Sequence, residues 1–262
     1  MKEKIGIGLV SYMRPEMFRK CLDSIPLDKG YEIVICNDTP GGYPGFEYPK
    51  GVKVIQNEVN LGVGKSKNAC LRWLLERGAT DLFLCEDDII VKDHSVFEKY
   101  IEARKVTGIQ HFSFFGHGPA SRLPNGKPNP RLIVNYTPEI GIAFYPNCIG
   151  AFCYYTADVL EKVGLMDEFY INNCEHLQHT YEIAKAGFTS PWWFFADLNE
   201  SWKYLEEIES SETSSVIRPR ADWQSNIKLG WNYFKQKFGC YPTEIPDTRQ
   251  EDVIGFLKKI RP

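Results

Sequence analysis

The chain lacks several things that would have named a class at once. No apolar stretch approaches the roughly 18 residues that a bilayer span needs. No long basic run is present and the net charge is −3, which argues against a dedicated nucleic-acid binder while leaving a local basic groove open. The N-terminus, Met1-Lys2-Glu3-Lys4, runs straight into an apolar segment without a signal-peptide pattern. Eight cysteines are present and none forms a CxxC pair. Cys36, Cys70, Cys85, Cys148 and Cys153 lie in apolar segments and read as buried free thiols of a cytoplasmic, reducing setting. No internal repeat is visible. What remains is a 262-residue chain that is 43% hydrophobic and 14% aromatic, enough to bury the core of one large domain or two small ones.

The order of elements points to an α/β protein. Strands are expected at Lys4–Val10, Tyr31–Cys36, Val52–Gln56 and Asp81–Cys85, with helices over Glu16–Ser24 and Gly62–Arg77 between them. Such alternation predicts a layer with a largely parallel sheet. The second half is less regular. Helices are expected at Val96–Val106, Thr156–Val163, Glu175–Ala186, Asp222–Phe238 and Arg249–Ile260. Strands are expected at Gln110–Phe115, Arg131–Val134, Ile140–Tyr145 and Ala151–Tyr155. Gly116–Pro130, rich in Gly, Pro and Asn, reads as a loop, and Ser210–Ser215 as a polar linker.

Glu86, Asp87 and Asp88 follow directly on the apolar run Leu82-Phe83-Leu84-Cys85. Three acids at the end of a buried strand are costly unless a cation meets them, and carboxylates suit hard cations such as Mg²⁺ or Mn²⁺. A solvated turn ahead of a helix start at Asp93-His94 would use the same residues. Asp38 also falls just past a strand end, and ligands of parallel sheets bind beyond the carboxyl ends of the strands. Gly64-Lys65-Ser66 imitates the end of a phosphate loop, but that motif needs glycine at position 59, where Val stands. A helix N-terminus with Lys65 and Lys67 could still hold a phosphate. Trp192-Trp193 could stack on a sugar or lie in a buried strand over Pro191–Ala196; the strand is the simpler expectation. His117, in the Gly-rich loop, reads as a lid residue or, more simply, as exposed.

Taken in order, Ser11-Tyr12-Met13-Arg14-Pro15, the strand ending Asn37-Asp38, Asn57 through Gly64, Lys67-Asn68-Ala69 and Leu82 through Asp88 resemble the nucleotide-binding half of a GT-A glycosyltransferase of the family 2 type. The resemblance implies a GT-A (Rossmann-like) nucleotide-sugar-binding fold, with a mixed, largely parallel central sheet flanked by helices. It implies a catalytic domain over 1–209, its nucleotide-binding half 1–90 and acceptor half 91–209, and a helical extension over 210–262 packed on the domain. It also implies a metal-dependent transfer from a nucleotide sugar, UDP first, to an acceptor hydroxyl, with inversion and with Mn²⁺ or Mg²⁺ as cofactor. Ser11, Arg14, Asp38, Lys67, Glu86 and Asp87 fall at nucleotide-sugar-binding positions. Asp88 is the preferred metal ligand, with Glu86 the first acid of the D-x-D-like motif.

The second half carries the resemblance more faintly, through Gly150-Ala151-Phe152, Val159 through Gly164, Asp167-Glu168-Phe169 and Cys174-Glu175-His176. Many members have Glu-Asp where this chain has Glu175-His176, and an acid there takes the acceptor's proton. Either Glu175 or His176 is therefore the expected base, and His176 or His179 could instead ligate the metal. The partners implied are a nucleotide-sugar donor and a glycan or other hydroxyl-bearing acceptor. Nucleic acid stays open only as an unfavoured acceptor, and no integral membrane segment is expected. Two other classes use similar residues: a nucleotidyltransferase, which should carry a Gly-rich basic loop that Ser11–Pro15 does not supply, and a non-catalytic nucleotide- or sugar-binding relative.

Overall fold

The computed structural model describes residues 3–208 and 215–262. Strands β1 (Ile5–Ser11), β2 (Glu32–Asn37), β3 (Lys53–Gln56) and β4 (Asp81–Glu86) pair in parallel. Helix α1 (Pro15–Asp23) connects β1 to β2, and α2 (Val63–Glu76) connects β3 to β4. Two strands from later in the chain, β6 (His111–Ser113) and β9 (Phe152–Thr156), complete a six-stranded sheet of order β3-β2-β1-β4-β9-β6, with β9 antiparallel to both neighbours. This is the mixed, largely parallel sheet that the sequence pattern predicts.

The central strands read as unbroken apolar runs because both faces of the sheet are covered. Ile33, Ile35, Phe83, Cys85, Phe152 and Tyr154 enter one core, packed with Phe18 of α1 and Phe97 and Tyr100 of α3 (Val96–Thr107). The residues between them, Val34, Cys36, Leu82, Leu84, Cys153 and Tyr155, enter a second core. There they meet Cys70, Leu71 and Leu74 of α2, Val159 and Leu160 of α4 (Ala157–Val163), and Ile183 of α5 (Glu175–Lys185). The period-2 alternation thus divides one strand between two hydrophobic layers.

Two small sheets lie outside this frame. β5 (Ile89–Val91) pairs antiparallel with β11 (Leu205–Glu207), and β8 (Gly141–Tyr145) pairs with β7 (Leu132–Asn135) and β10 (Phe195–Leu198). Helices α6 (Trp223–Phe238) and α7 (Gln250–Ile260) follow. Val253 and Leu257 of α7 enter the first core. The three-residue strands β5 and β11 escape the sequence pattern because so short a run has no legible period. The expected strand over Pro191–Ala196 is corrected. Its aromatics are largely buried, but pairing begins only at Phe195, after a turn in which Trp193 holds a left-handed φ of 70°. Residues 116–130 form a loop whose one bridge joins Arg122 and Pro128. Apart from Ser215, the expected linker at 210–215 lies outside the described residues.

Candidate active site

Strand register brings the motifs to one sheet edge. Ser11 stands opposite Asn37, and Val10 opposite Glu86, so the ends of β1, β2 and β4 are level. Two adjoining cavities open at that edge. Ser11, Asp38, Ser66 and Asp87 line the first. Asp88, His117, Gly150, Glu175, His176 and Arg218 line the second. Tyr12, Arg14, Val63, Glu86, Asn172 and Ile217 border both.

The three consecutive acids have three environments. Asp87, in the turn between β4 and β5, accepts hydrogen bonds from Ser11 Oγ at 2.7 Å and from the Tyr12 amide at 3.3 Å, and it pairs with Arg14. Burial pushes its pKa up to about 7 against the pull of the Arg14 guanidinium. Its bonds tie the β1–α1 turn to the acidic turn, a structural duty that leaves little of it for the donor. Asp88 accepts from both Arg14 Nη atoms through Oδ2, each at 3.2 Å. Its buried Oδ1 has no hydrogen-bond partner, and His117 Nδ1 stands 4.0 Å away. Burial raises the Asp88 pKa as well.

Glu86 faces the other way. Its Oε1 lies 2.6 Å from Lys67 Nζ, and the same ammonium reaches Glu175 Oε1 and the Gly150 carbonyl, each at 3.0 Å. Burial opposes every charge in this group. Lys67 nonetheless holds Glu86 below its ordinary pKa, and Lys67 with His176 brings Glu175 well below the usual carboxylate range. The resemblance assigned Lys67 to the donor. Instead it is 1% exposed, borders neither cavity, and joins the acid at the end of β4 to the acid at the start of α5.

Asp38 borders the first cavity, but its carboxylate accepts from Asn57 Nδ2 at 2.7 Å and from the Leu61 and Gly62 amides at 2.9 Å each. It caps the approach to α2. These bonds engage the amides ahead of α2 and not those of its first turn. Gly62 takes a φ of 89°, and a Cβ there would lie 2.5 Å from the Ile171 carbonyl oxygen. Only glycine lets the 170s loop pack so closely on α2.

His176 packs close against the chain at Gly150, where a Cβ would lie 2.5 Å from His176 Cγ. Its Nδ1 is 3.0 Å from Glu175 Oε1. That contact fixes Nδ1 as the donor and leaves Nε2 as the acceptor nitrogen of the neutral ring. Glu175 Oε2 is buried without a partner. The residue before it, Cys174, holds a left-handed φ of 64° and turns the chain into α5.

His179 is corrected as a metal ligand. It is fully buried, bonds the Gly164 carbonyl through Nε2 at 2.9 Å, packs at a tilt against Tyr155 and borders neither cavity. Trp192 and Trp193 also stand apart from the cavities. Trp192 packs edge-on to Tyr181 and Phe195, and Trp193 Nε1 donates to the Ile245 carbonyl. His117 reverses the simpler expectation: it is only 22% exposed and faces Asp88 and Glu207, the latter at 3.2 Å.

The donor set fits a divalent cation. Glu86, Asp87, Asp88 and Glu175 are four carboxylates, and the fixed cations paired with them among the described residues are Arg14 and Lys67. Asp88 Oδ1 is buried and unpaired. Among the described residues no three His, Cys, Asp or Glu side chains form a ready cation cage. None is required, since Mg²⁺ at phosphate-transfer sites is commonly held by one or two carboxylates together with the substrate's phosphates. Asp88 Oδ1 and Glu175 Oε2 are the buried carboxylate oxygens without a partner here, and Glu86 is held through Oε1 by Lys67.

No family model matches the chain. In sequence it is similar to the uncharacterised glycosyltransferase R363 of Acanthamoeba polyphaga mimivirus, 23% identical over 249 residues, covering 89% of this chain and 93% of that protein. In structure it is similar to the mannosyltransferase PcManGT of Pyrobaculum calidifontis, solved in complex with GDP-Man and Mn²⁺. That match has a TM-score of 0.54 at 12% identity and covers 98% of this chain and 69% of the other. The chain has a glycosyltransferase fold of the GT-A type. S. aureus TarS 1–349 matches with a TM-score of 0.48 at 12% identity, over 99% of this chain and 81% of that one. The resemblance read from the sequence is borne out by the viral relative, and the α/β class by the sheet itself.

Sequence reasoning missed Asn172, named Gly150 only within the fainter resemblance of the second half, and favoured exposure for His117. Nothing in the local pattern around Asn172 or His117 marks them, since each acquires its place only when the second half of the chain folds over the sheet edge.

Proposed function

We propose that this glycosyltransferase moves a sugar from a nucleotide sugar, with UDP the first nucleotide to test, to an acceptor hydroxyl with inversion, in a cytoplasmic setting. The observation that carries the proposal is that the acids ending β4 and the Glu175-His176 pair heading α5 face one cleft and are joined through Lys67. Asp88, with Arg14 beside it, would hold a divalent cation, which supplies charge compensation for the leaving diphosphate. Ser11, Tyr12 and Asp38 border the cavity that this reading assigns to the nucleoside.

His176 is the better base of the two expected. Lys67 depresses the basicity of Glu175, whereas His176 borders the cleft and presents Nε2 once Nδ1 is bonded to Glu175. An oriented imidazole can take the acceptor proton as the glycosidic bond forms, with Glu175 stabilising the imidazolium. Inversion would follow if His176 meets the acceptor on the face of the sugar away from the leaving diphosphate. The GDP-Man of the Pyrobaculum structure makes GDP-sugars the second donor class to test.

The test is turnover and binding across a panel of UDP-, GDP- and dTDP-sugars, with and without Mn²⁺, for wild type and Asp88→Ala. Metal-dependent consumption of one donor, lost in the variant, is the expected result. NMR of the product's anomeric centre then reads the stereochemistry. Failure of every donor to bind would sink the proposal.

A further inference from the structure

Asn172 is an anomaly. The residue is 9% exposed, and both polar atoms of its carboxamide, Oδ1 and Nδ2, are buried with no hydrogen-bond partner. A buried amide left unpaired is costly, and native proteins seldom keep one without a use. Its location suggests the use. Asn172 lies in the wall common to both cavities, with Val63 of α2, Glu86 and Ile217 around it. The Ile171 carbonyl beside it accepts from the Val63 amide at 2.9 Å, which pins the segment to the helix. Asn172 is therefore a fixed, unsatisfied donor and acceptor on the boundary between the cavity reached by Asp38 and the one reached by Asp88 and His176.

The chemistry of a carboxamide selects its partner. Phosphate oxygens only accept hydrogen bonds, and a cation would use only Oδ1. A pair of neighbouring hydroxyls both donates and accepts, and so satisfies both atoms. Resting on the nucleotide-sugar reading above, we infer that Asn172 holds a vicinal diol of the donor and is a specificity-determining residue of the site. The diol comes either from the ribose, on the side of the first cavity, or from the transferred sugar, on the side of the second. A site that bonds a hydroxyl rejects the analogue that lacks it, because the protein groups are then left unpaired.

The probes are UDP, 2′-deoxy-UDP, GDP, 2′-deoxy-GDP, UDP-glucose and GDP-mannose, titrated calorimetrically with MnCl₂ into wild type and Asn172→Ala. If the ribose is the source, wild type favours the ribonucleotide over its deoxy analogue by about tenfold or more, and the variant binds the two alike. If the transferred sugar is the source, the variant loses about tenfold on the sugar nucleotide but not on the free diphosphate. Either pattern supports the inference, provided that unliganded Asn172→Ala melts no lower than wild type, since deleting an unpaired amide removes no contact. A lower melting temperature with unchanged discrimination makes Asn172 structural and overturns it. Asn172→Asp, which keeps the shape but loses the donor, covers the case in which the alanine variant does not fold. Wild type that binds none of the probes defeats the nucleotide-sugar reading itself; wild type that binds with no change in either variant defeats only the role of Asn172.

Discussion

Lys67 Nζ and Glu175 Oε1 meet at 3.0 Å, with side chains only 1% and 2% exposed. A buried pair adds little net stability over an apolar one, but removing one partner strands the other charge. Lys67→Met is therefore expected to cost about 3–5 kcal/mol, and Lys67→Met/Glu175→Gln to recover a good part of it. Urea denaturation of the wild type, both single variants and the double variant reads the coupling. A single variant as stable as wild type would show that Lys67 is not the link between the two acids.

Gly150 matters for space rather than for backbone freedom. Gly150→Ala puts a methyl where His176 sits and should displace the ring by about 1 Å. Misplacement on that scale costs on the order of a hundredfold in rate. The expected signature is a fall in kcat with near-native donor affinity and melting temperature. Equal loss of donor affinity would point to collapse of the cleft instead.

His111 and His179 make the fold acid-sensitive. His111 is buried, donates from Nδ1 to the Tyr154 carbonyl at 2.9 Å and accepts at Nε2 from the Thr180 hydroxyl at 2.9 Å. Burial brings its pKa down to about 3, and burial lowers that of His179 too. Below about pH 6.5 the unfolded chain takes up protons at these rings that the folded chain refuses. For His111, stability present at neutral pH is thus lost as pH falls from about 6.5 toward 3, by up to about 1.4 kcal/mol per pH unit, and His179 acts in the same direction. Asp87 and Asp197, whose folded pKa values are raised to about 7 and about 6, titrate in the same window with the opposite sign. The histidine contribution is therefore read from pH 7 to 5 as the difference in unfolding free energy between wild type and His111→Gln. The variant should lose less stability as pH falls, and an unchanged slope would assign the effect elsewhere.

The proposed metal role of Asp88 would come at a cost in stability. Burial disfavours its charged form, so Asp88→Asn should abolish metal-dependent turnover while raising the stability of the metal-free protein by about 1 kcal/mol. Thermal melts in chelator, set beside activity in Mn²⁺, check both halves. A destabilised variant would mean that the Asp88 contact with Arg14 is structural.

The sheet and the acidic turn were legible because they rest on local signals. Apolar runs flanked by Gly and Pro fix β1, β2 and β4, and three acids after such a run announce an unmet charge. Lys67 was legible as a cation but not as a bridge, since its partners are 19 and 108 positions away. His176 and His179 looked alike as neighbours on one helix, yet α5 turns one to the cleft and the other into the second core. Asn172 could not be read at all. An asparagine in a loop is ordinary until the α2 entrance and the segment at Ile217 close around it.

The strand β9 lies against β4, between the acidic strand and β6. The first and second halves of the chain therefore share one piece of hydrogen-bonded backbone. Cutting the chain after residue 90 would leave β4 with a bare edge and half of each hydrophobic layer without a cover. Chimeras that join the first half of one such enzyme to the second half of another should thus fail as modules. Retargeting this scaffold to a new acceptor calls for exchange of loops, 116–130 first among them, with the sheet left whole.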